Sequence, residues 1–201
     1  MKKLFCVILM LALCMPFAIA EEAPAAPAFV DLPFDVQIED YMAQLAHIYG
    51  GDPNVEITQV NTVPPWNGLT KSRLGLSDDF KPEAMDICGY PVSSIDLTEL
   101  VNEQNFEISR MSHITINFER GAFAAPEAYE VVKQHFSEVF GSGFGSSSDA
   151  KWVSTIYTEW YLDGERFIAA ELWHSKRTNE DVLKIHYGMK DFQGLHKLLN
   201  P

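Results

Sequence analysis

Apolar positions from Ile38 onward fall at Ile38, Tyr41, Leu45, Ile48 and Tyr49, the three-four-three-one spacing of one helix face, and the pattern stops at Gly50-Gly51-Asp52-Pro53. The same steps recur at Tyr129, Val132, Phe136, Val139 and Phe140, opening at Pro126 and stopping at Gly141. "DYMAQLAHIYGGDP" (40–53) thus corresponds to the stretch that includes "EVVKQHFSEVFGSG" (130–143), with the apolar positions and the glycine stop offset by 91 residues. Strand-type sequence follows each helix. After the first come "VEITQV" (55–60), "PVSSIDL" (91–97) and "FEISRMSHITINFE" (106–119). After the second come "KWVSTIYTEWYL" (151–162), "RFIAAELWH" (166–174) and "DVLKIHYG" (181–188), and "KDFQGLHKLLN" closes the chain as a last helix. The order predicts an α+β fold with two layers, helix on antiparallel β-meander, built as a tandem duplication (34–120 and 121–201) that forms one sheet.

The C-terminal half carries the strongest pairing signal. Asp163-Gly164 between two β-rich runs reads as a two-residue hairpin turn, which would set Trp160 opposite Phe167 and Ile156 opposite Glu171. Alternation then divides the side chains into two faces. Val153, Thr155, Tyr157, Ile168, Ala170 and Leu172 form an apolar set that should lie under the helices, joined by Leu183, Ile185 and Tyr187 if the next turn pivots at Thr178-Asn179. Ile156, Trp160, Leu162, Phe167, Glu171 and Trp173 form the other set, joined by Lys184 and His186, with His186 opposite Glu171. Large rings interleaved with charge characterise recognition surfaces. Trp160, Phe167, Trp173, Glu171, His186 and Lys184 are therefore the expected binding residues; a second core is the competing reading. In "HITINF", Ile114, Ile116 and Phe118 alternate with His113, Thr115 and Asn117, so this strand should have one apolar and one polar face.

The first twenty residues place two lysines before an apolar run and end in Ala18-Ile19-Ala20, the pattern of a secretory signal peptide cleaved near Ala20. The expected location is periplasmic or secreted, and the absence of an Asn-x-Ser/Thr sequon fits a bacterial source. A lipid-attachment box at Cys14 is disfavoured by the bulky Leu13. Residues 21–33 are Ala/Pro-rich and read as an extended tether before a single domain over 34–201. The formal charge is −13, and −15 without Lys2 and Lys3, an acidic balance that argues against nucleic acid and anionic membranes as partners. No apolar stretch is long enough to span a bilayer. Cys88 is the one cysteine outside the signal, so no internal disulfide is expected, and its flanks "MDICGYP" suggest a small apolar side chain rather than a reactive thiol.

The glycine-serine run "FGSGFGSSSD" follows a helix, where a phosphate loop must precede one, and it lacks the Lys-Ser/Thr that would grip the anion. It reads as a helix stop at Gly141 and a flexible run into the next strand. His-Glu-x-x-His, Gly-x-Ser-x-Gly and Cys-x-x-Cys signatures are absent, and Ser148-x-x-Lys151 leads into a strand rather than a helix. His47, His135 and His196 lie among polar neighbours on helices; no metal or cofactor is expected. Glu171 and His186 could form a carboxylate-oriented general base, with a cross-strand ion pair as the plainer reading. The leading expectation is an exported, non-catalytic module that binds a protein or glycan. Its repeated helix-plus-meander layout is similar in outline to that of some secreted enzyme-inhibitor proteins. The alternatives are a small extracytoplasmic hydrolase using Glu171 and His186 or Cys88, and an envelope structural or assembly component. Trp66, after two prolines in the otherwise opaque stretch 61–90, could rim a site.

Overall fold

The structure is a computed structural model in which residues 24–34, 36–50, 59–63, 72–77, 85–102, 104–105 and 109–199 are described. The expected signal peptide over residues 1–20, Cys14 and Trp66 lie outside those residues. The fold is mixed α+β and mostly antiparallel sheet. Helices are α1 (Ile38–Tyr49), α2 (Ala125–Phe140) and α3 (Phe192–Leu199). Strands are β1 (Gln59–Val63), β2 (Ser72–Ser77), β3 (Asp86–Ile87), β4 (Tyr90–Val101), β5 (Ser109–Phe118), β6 (Phe144–Asp149), β7 (Val153–Tyr161), β8 (Arg166–Ser175) and β9 (Glu180–Met189). They pair in the order β1-β2-β4-β5-β9-β8-β7-β6, with β3 added to β4 as a short hairpin. Counted from the central β5–β9 pair, both directions run back toward the strand that follows a helix.

Both long helices end as their spacing predicts. Gly50 (φ 80°) and Gly141 (φ 85°) take positive φ, where a Cβ would strain the backbone, and each donates its N–H to the last turn, to Ala46 and Ser137. Ile38, Tyr41 and Leu45 of α1 are fully buried, as are Tyr129, Val132 and Phe136 of α2 at the offset of 91. Ile48 departs from its stripe and is exposed. α1 contacts β4 and β5, whereas α2 lies against β7, β8 and β9. The Tyr129 hydroxyl meets Thr158 Oγ1 at 2.7 Å in that interface, and Phe136 meets Trp160 edge-on with ring centres 5.4 Å apart.

Two expected boundaries move. Residues 28–34, read as the end of a tether and the first folded position, begin with a short 3₁₀ turn (Ala28–Asp31) that buries Phe29 and Val30, and Leu32 and Phe34 just after it are buried too. The Val30 carbonyl accepts from Tyr187 Oη (2.7 Å) and Arg166 Nη1 (2.8 Å), so the segment's polar backbone is satisfied as its side chains enter the core. The Gly/Ser run is likewise not a flexible connector. It is β6, an edge strand paired along its whole length with β7 and exposed at every residue. Glycine and serine show no alternation because neither side of this strand reaches the core.

The β7–β8 register also differs from the expected one. Asp163 and Gly164 lack the positive φ that a two-residue primed turn requires. The loop instead holds three residues, Asp163 to Glu165, because Asp163 Oδ1 accepts from the N–H groups of Glu165 (2.8 Å) and Arg166 (2.7 Å) while Oδ2 pairs with Arg166 Nε (2.7 Å). Trp160 pairs with Ile168, and Tyr157 with Glu171. One residue of slip inverts β7. Ile156, Trp160 and Leu162 leave the expected recognition face, and Val153, Thr155 and Tyr157 join it. The primed-turn geometry occurs at Cys88-Gly89 in the β3–β4 hairpin, with φ of 56° and 80°.

Candidate functional site on the polar-aromatic sheet face

The face away from α2 is assembled by pairing across five strands. One ladder runs Tyr157–Glu171–Lys184–Asn117–Ser94 from β7 to β4. The adjacent one runs Glu159–Ala169–His186–Thr115–Asp96. Because side chains two residues apart share a face, all of these point to the same side, with Phe167, Trp173 and His113 beside them. The reverse face carries Ile114, Ile116, Ile168, Ala170, Ile185 and Tyr187, all fully buried.

Most polar groups here are held by a neighbour. Glu171 Oε2 lies 2.8 Å from His186 Nε2; the carboxylate can only accept, so Nε2 carries the proton and donates. His186 Nδ1 lies 3.2 Å from both His113 Nε2 and Thr115 Oγ1. In neutral His186 that nitrogen accepts, and His113 donates through Nε2. Asn117 Nδ2 donates to Asp96 Oδ2 at 3.0 Å and to Ser94 Oγ at 3.3 Å. The bond from His186 holds the Glu171 carboxyl below its ordinary value, with the charge of Lys184 helping and burial opposing. Burial pushes His113 down to about 3, and its neighbour His186 adds to the shift. The Tyr157 hydroxyl is raised by burial and by the nearby carboxylates of Glu159 and Glu171.

Close packing at Gly188 makes room for the pair of imidazoles. A Cβ there would stand 2.7 Å from His113 Nδ1, 3.1 Å from the Ser112 carbonyl and 3.2 Å from Phe167 Cε1. Glu171 and His186 side chains remain 20% and 16% exposed, so the bonded pair is reachable from solvent.

Of the residues expected at the site, Glu171, His186, Lys184, Phe167 and Trp173 lie on this face; Phe167 is buried and the others are half-buried. Trp160 does not join them. It is 1% exposed, on the α2 side, as the corrected register requires. Lys184, rather than His186, stands directly opposite Glu171, and His186 reaches the carboxylate diagonally. Cys88 lies apart, on β3–β4. Its half-buried thiol is pushed up to about 11 by burial and by Asp86, which keeps it protonated. Tyr157, Thr115 and His113 were not among the expected site residues. For His113 and Thr115 the alternation in "HITINF" was the available signal, but β5 meets β9 through a non-local pairing that the sequence pattern does not encode; Tyr157 was set on the other face by the expected β7–β8 register.

No group of three or more His, Cys, Asp or Glu side chains among the described residues is arranged to hold a metal ion. No helix among them is long and apolar enough to cross a membrane. No protein-family model, curated protein or solved structure matches the chain.

Proposed function

We propose that this protein is an exported, non-catalytic interaction module that captures a protein or glycan on its polar-aromatic sheet face. The observation that carries the reading is the composition of that face. Tyr157 and Trp173 are half-buried beside Glu171, Lys184 and His186, which bond or pair among themselves and still reach solvent. A second core would call for aliphatic side chains in those central positions, because buried charge is costly even when paired. Side chains already fixed by neighbours lose little further freedom when a ligand arrives. The architecture proposed with it is two-layered, from a tandem duplication of a helix-plus-meander unit. Matching glycine stops and buried positions at the offset of 91, and a strand order that mirrors about β5–β9, support that origin.

The test is affinity capture from the envelope and secreted fractions of the producing cell, using the chain from residue 21 beside a Tyr157→Ser/Trp173→Ser variant with unchanged circular dichroism. A partner held by the wild type and lost by the variant is the expected result. Equal capture by both would refute the assignment to this face.

One geometric feature favours a second reading, a small hydrolase. The Glu171 carboxylate orients the His186 ring so that Nδ1 faces the Thr115 hydroxyl at 3.2 Å, a carboxylate-imidazole-hydroxyl series. His113 contests the same nitrogen. Turnover of activated ester substrates that disappears in both Glu171→Gln and His186→Ala would support it; turnover unchanged in both would end it. Cys88, protonated in its turn, is the weaker nucleophile candidate.

A further inference from the structure

The ladder Tyr157–Glu171–Lys184–Asn117–Ser94 crosses four strand gaps, roughly 19 Å at about 4.8 Å per gap. At its β4 end it opens into a cleft of about 630 Å³ lined by Ser93, Ser94, Asp96, Asn117 and Arg120 among others. At its β7 end lies the ring of Tyr157, with Trp173 on the same face of β8, two residues from Glu171. The ladder therefore offers ring surface at one end and a polar cleft at the other, with a carboxylate, an ammonium and an amide between.

The chemistry of that series is specific about the ligand. Opposite charges face each other at Glu171 and Lys184, so the middle of the row does not demand a charged partner. Donors and acceptors are interspersed along it: the Glu171 carboxylate, the Lys184 ammonium, the Asn117 amide and the Ser94 hydroxyl, with the Asp96 carboxylate of the adjacent ladder in the cleft. A group that both donates and accepts at each step, such as a sugar hydroxyl, matches this sequence, and the apolar C–H side of a pyranose ring suits a tyrosine or tryptophan face. A protein partner fits less well, because the centre of a protein interface is depleted in charge and here the centre is charged. We propose that this row and its cleft form a subsite for a neutral oligosaccharide, an inference that rests on the binding-face reading above and narrows it to one ligand class.

The probes are four neutral tetrasaccharides, β-1,4-linked glucose, β-1,4-linked N-acetylglucosamine, β-1,4-linked mannose and α-1,4-linked glucose, titrated by calorimetry and by saturation-transfer NMR. Binding of at least one is expected. Tyr157→Ala and Asn117→Ala should each weaken it tenfold or more, and Asp96→Asn, which keeps the shape but exchanges an acceptor for a donor, should weaken it measurably. Val131→Ser on the exposed side of α2 should leave it unchanged. If no tetrasaccharide binds, or if binding survives both alanine substitutions, the proposal is overturned. Envelope capture separates the two levels: a protein held through Tyr157 and Trp173 while all four sugars fail overturns the sugar assignment and keeps the interaction face. Failure of both capture and titration removes both.

Discussion

Lowering the pH from 8 to 5 should destabilise the protein through His113. The imidazole is pushed from 6.5 to about 3 by burial beside Phe167 and Gly188, with His186 as the secondary cause. A base whose folded pKa is depressed binds fewer protons when native than when unfolded. Stability is therefore intact above the unfolded value near 6.5, falls as pH drops through it, and stops falling near the folded value. At pH 5 the unfolded chain is favoured by about 1.5 pH units of proton binding, or roughly 2 kcal/mol at 1.36 kcal/mol per unit. That is an upper value, since His113 is half-buried rather than enclosed. His113→Gln isolates the effect: its amide nitrogen can reach toward His186 Nδ1 as the imidazole Nε2 does, and it does not titrate. Urea unfolding of both proteins at pH 8, 7, 6 and 5 gives the difference directly. The variant should gain on the wild type by up to about 2 kcal/mol across the series, most of it below pH 6.5. Parallel curves would refute the reasoning, because they would mean that His113 takes up its proton in the native state as readily as in the unfolded one.

Other residues give sharp outcomes too. Trp160→Ala should cost about 3–5 kcal/mol by opening a cavity against Phe136, and Trp160→Phe clearly less, because it removes an indole N–H that is buried without a partner among the described residues; equal losses by urea unfolding would contradict the core placement. Gly188→Ala should lower the midpoint and displace the His113 and His186 imidazole signals in NMR, since its Cβ would enter the space of the His113 ring. Alkylation of Cys88 by iodoacetamide at pH 8 should run well below the rate of a model thiol and approach it in urea, its thiol being pushed up to about 11 in the folded turn; equal rates in the two states would show that the turn does not shield it.

Elements with a strong hydrophobic period were legible in the sequence. Both long helices and strands β7 to β9 carry apolar side chains that must face a core, and their limits agree with the spacing within a few residues. Strand β6 was not legible, because an edge strand of glycine and serine buries nothing and so leaves no periodic trace. The docked segment 28–34 was hidden for a different reason. Its Phe29, Val30, Leu32 and Phe34 enter the core from a turn and the residues just after it rather than from a long helix or strand, and what holds them there is distant in sequence: Arg166 and Tyr187 on the Val30 carbonyl.

The make-up of the polar-aromatic face turned on parity more than on which residues are hydrophobic. At the β7–β8 loop, the capping of Asp163 and its pairing with Arg166 widen the turn by one residue, and one residue is enough to exchange Trp160 for Tyr157 on the exposed side. At the β8–β9 turn the expected pairing was wrong by two residues. The four-residue loop Lys176 to Asn179 sets Glu171 against Lys184 instead of His186, yet an even shift keeps every side chain on its face. The Glu171–His186 contact therefore survives as a diagonal one at 2.8 Å. Alternation within a strand identifies which side chains travel together, whereas turn chemistry decides which strands' sets combine. In this sheet the deciding interactions were made by an aspartate and an arginine outside the site that they arrange.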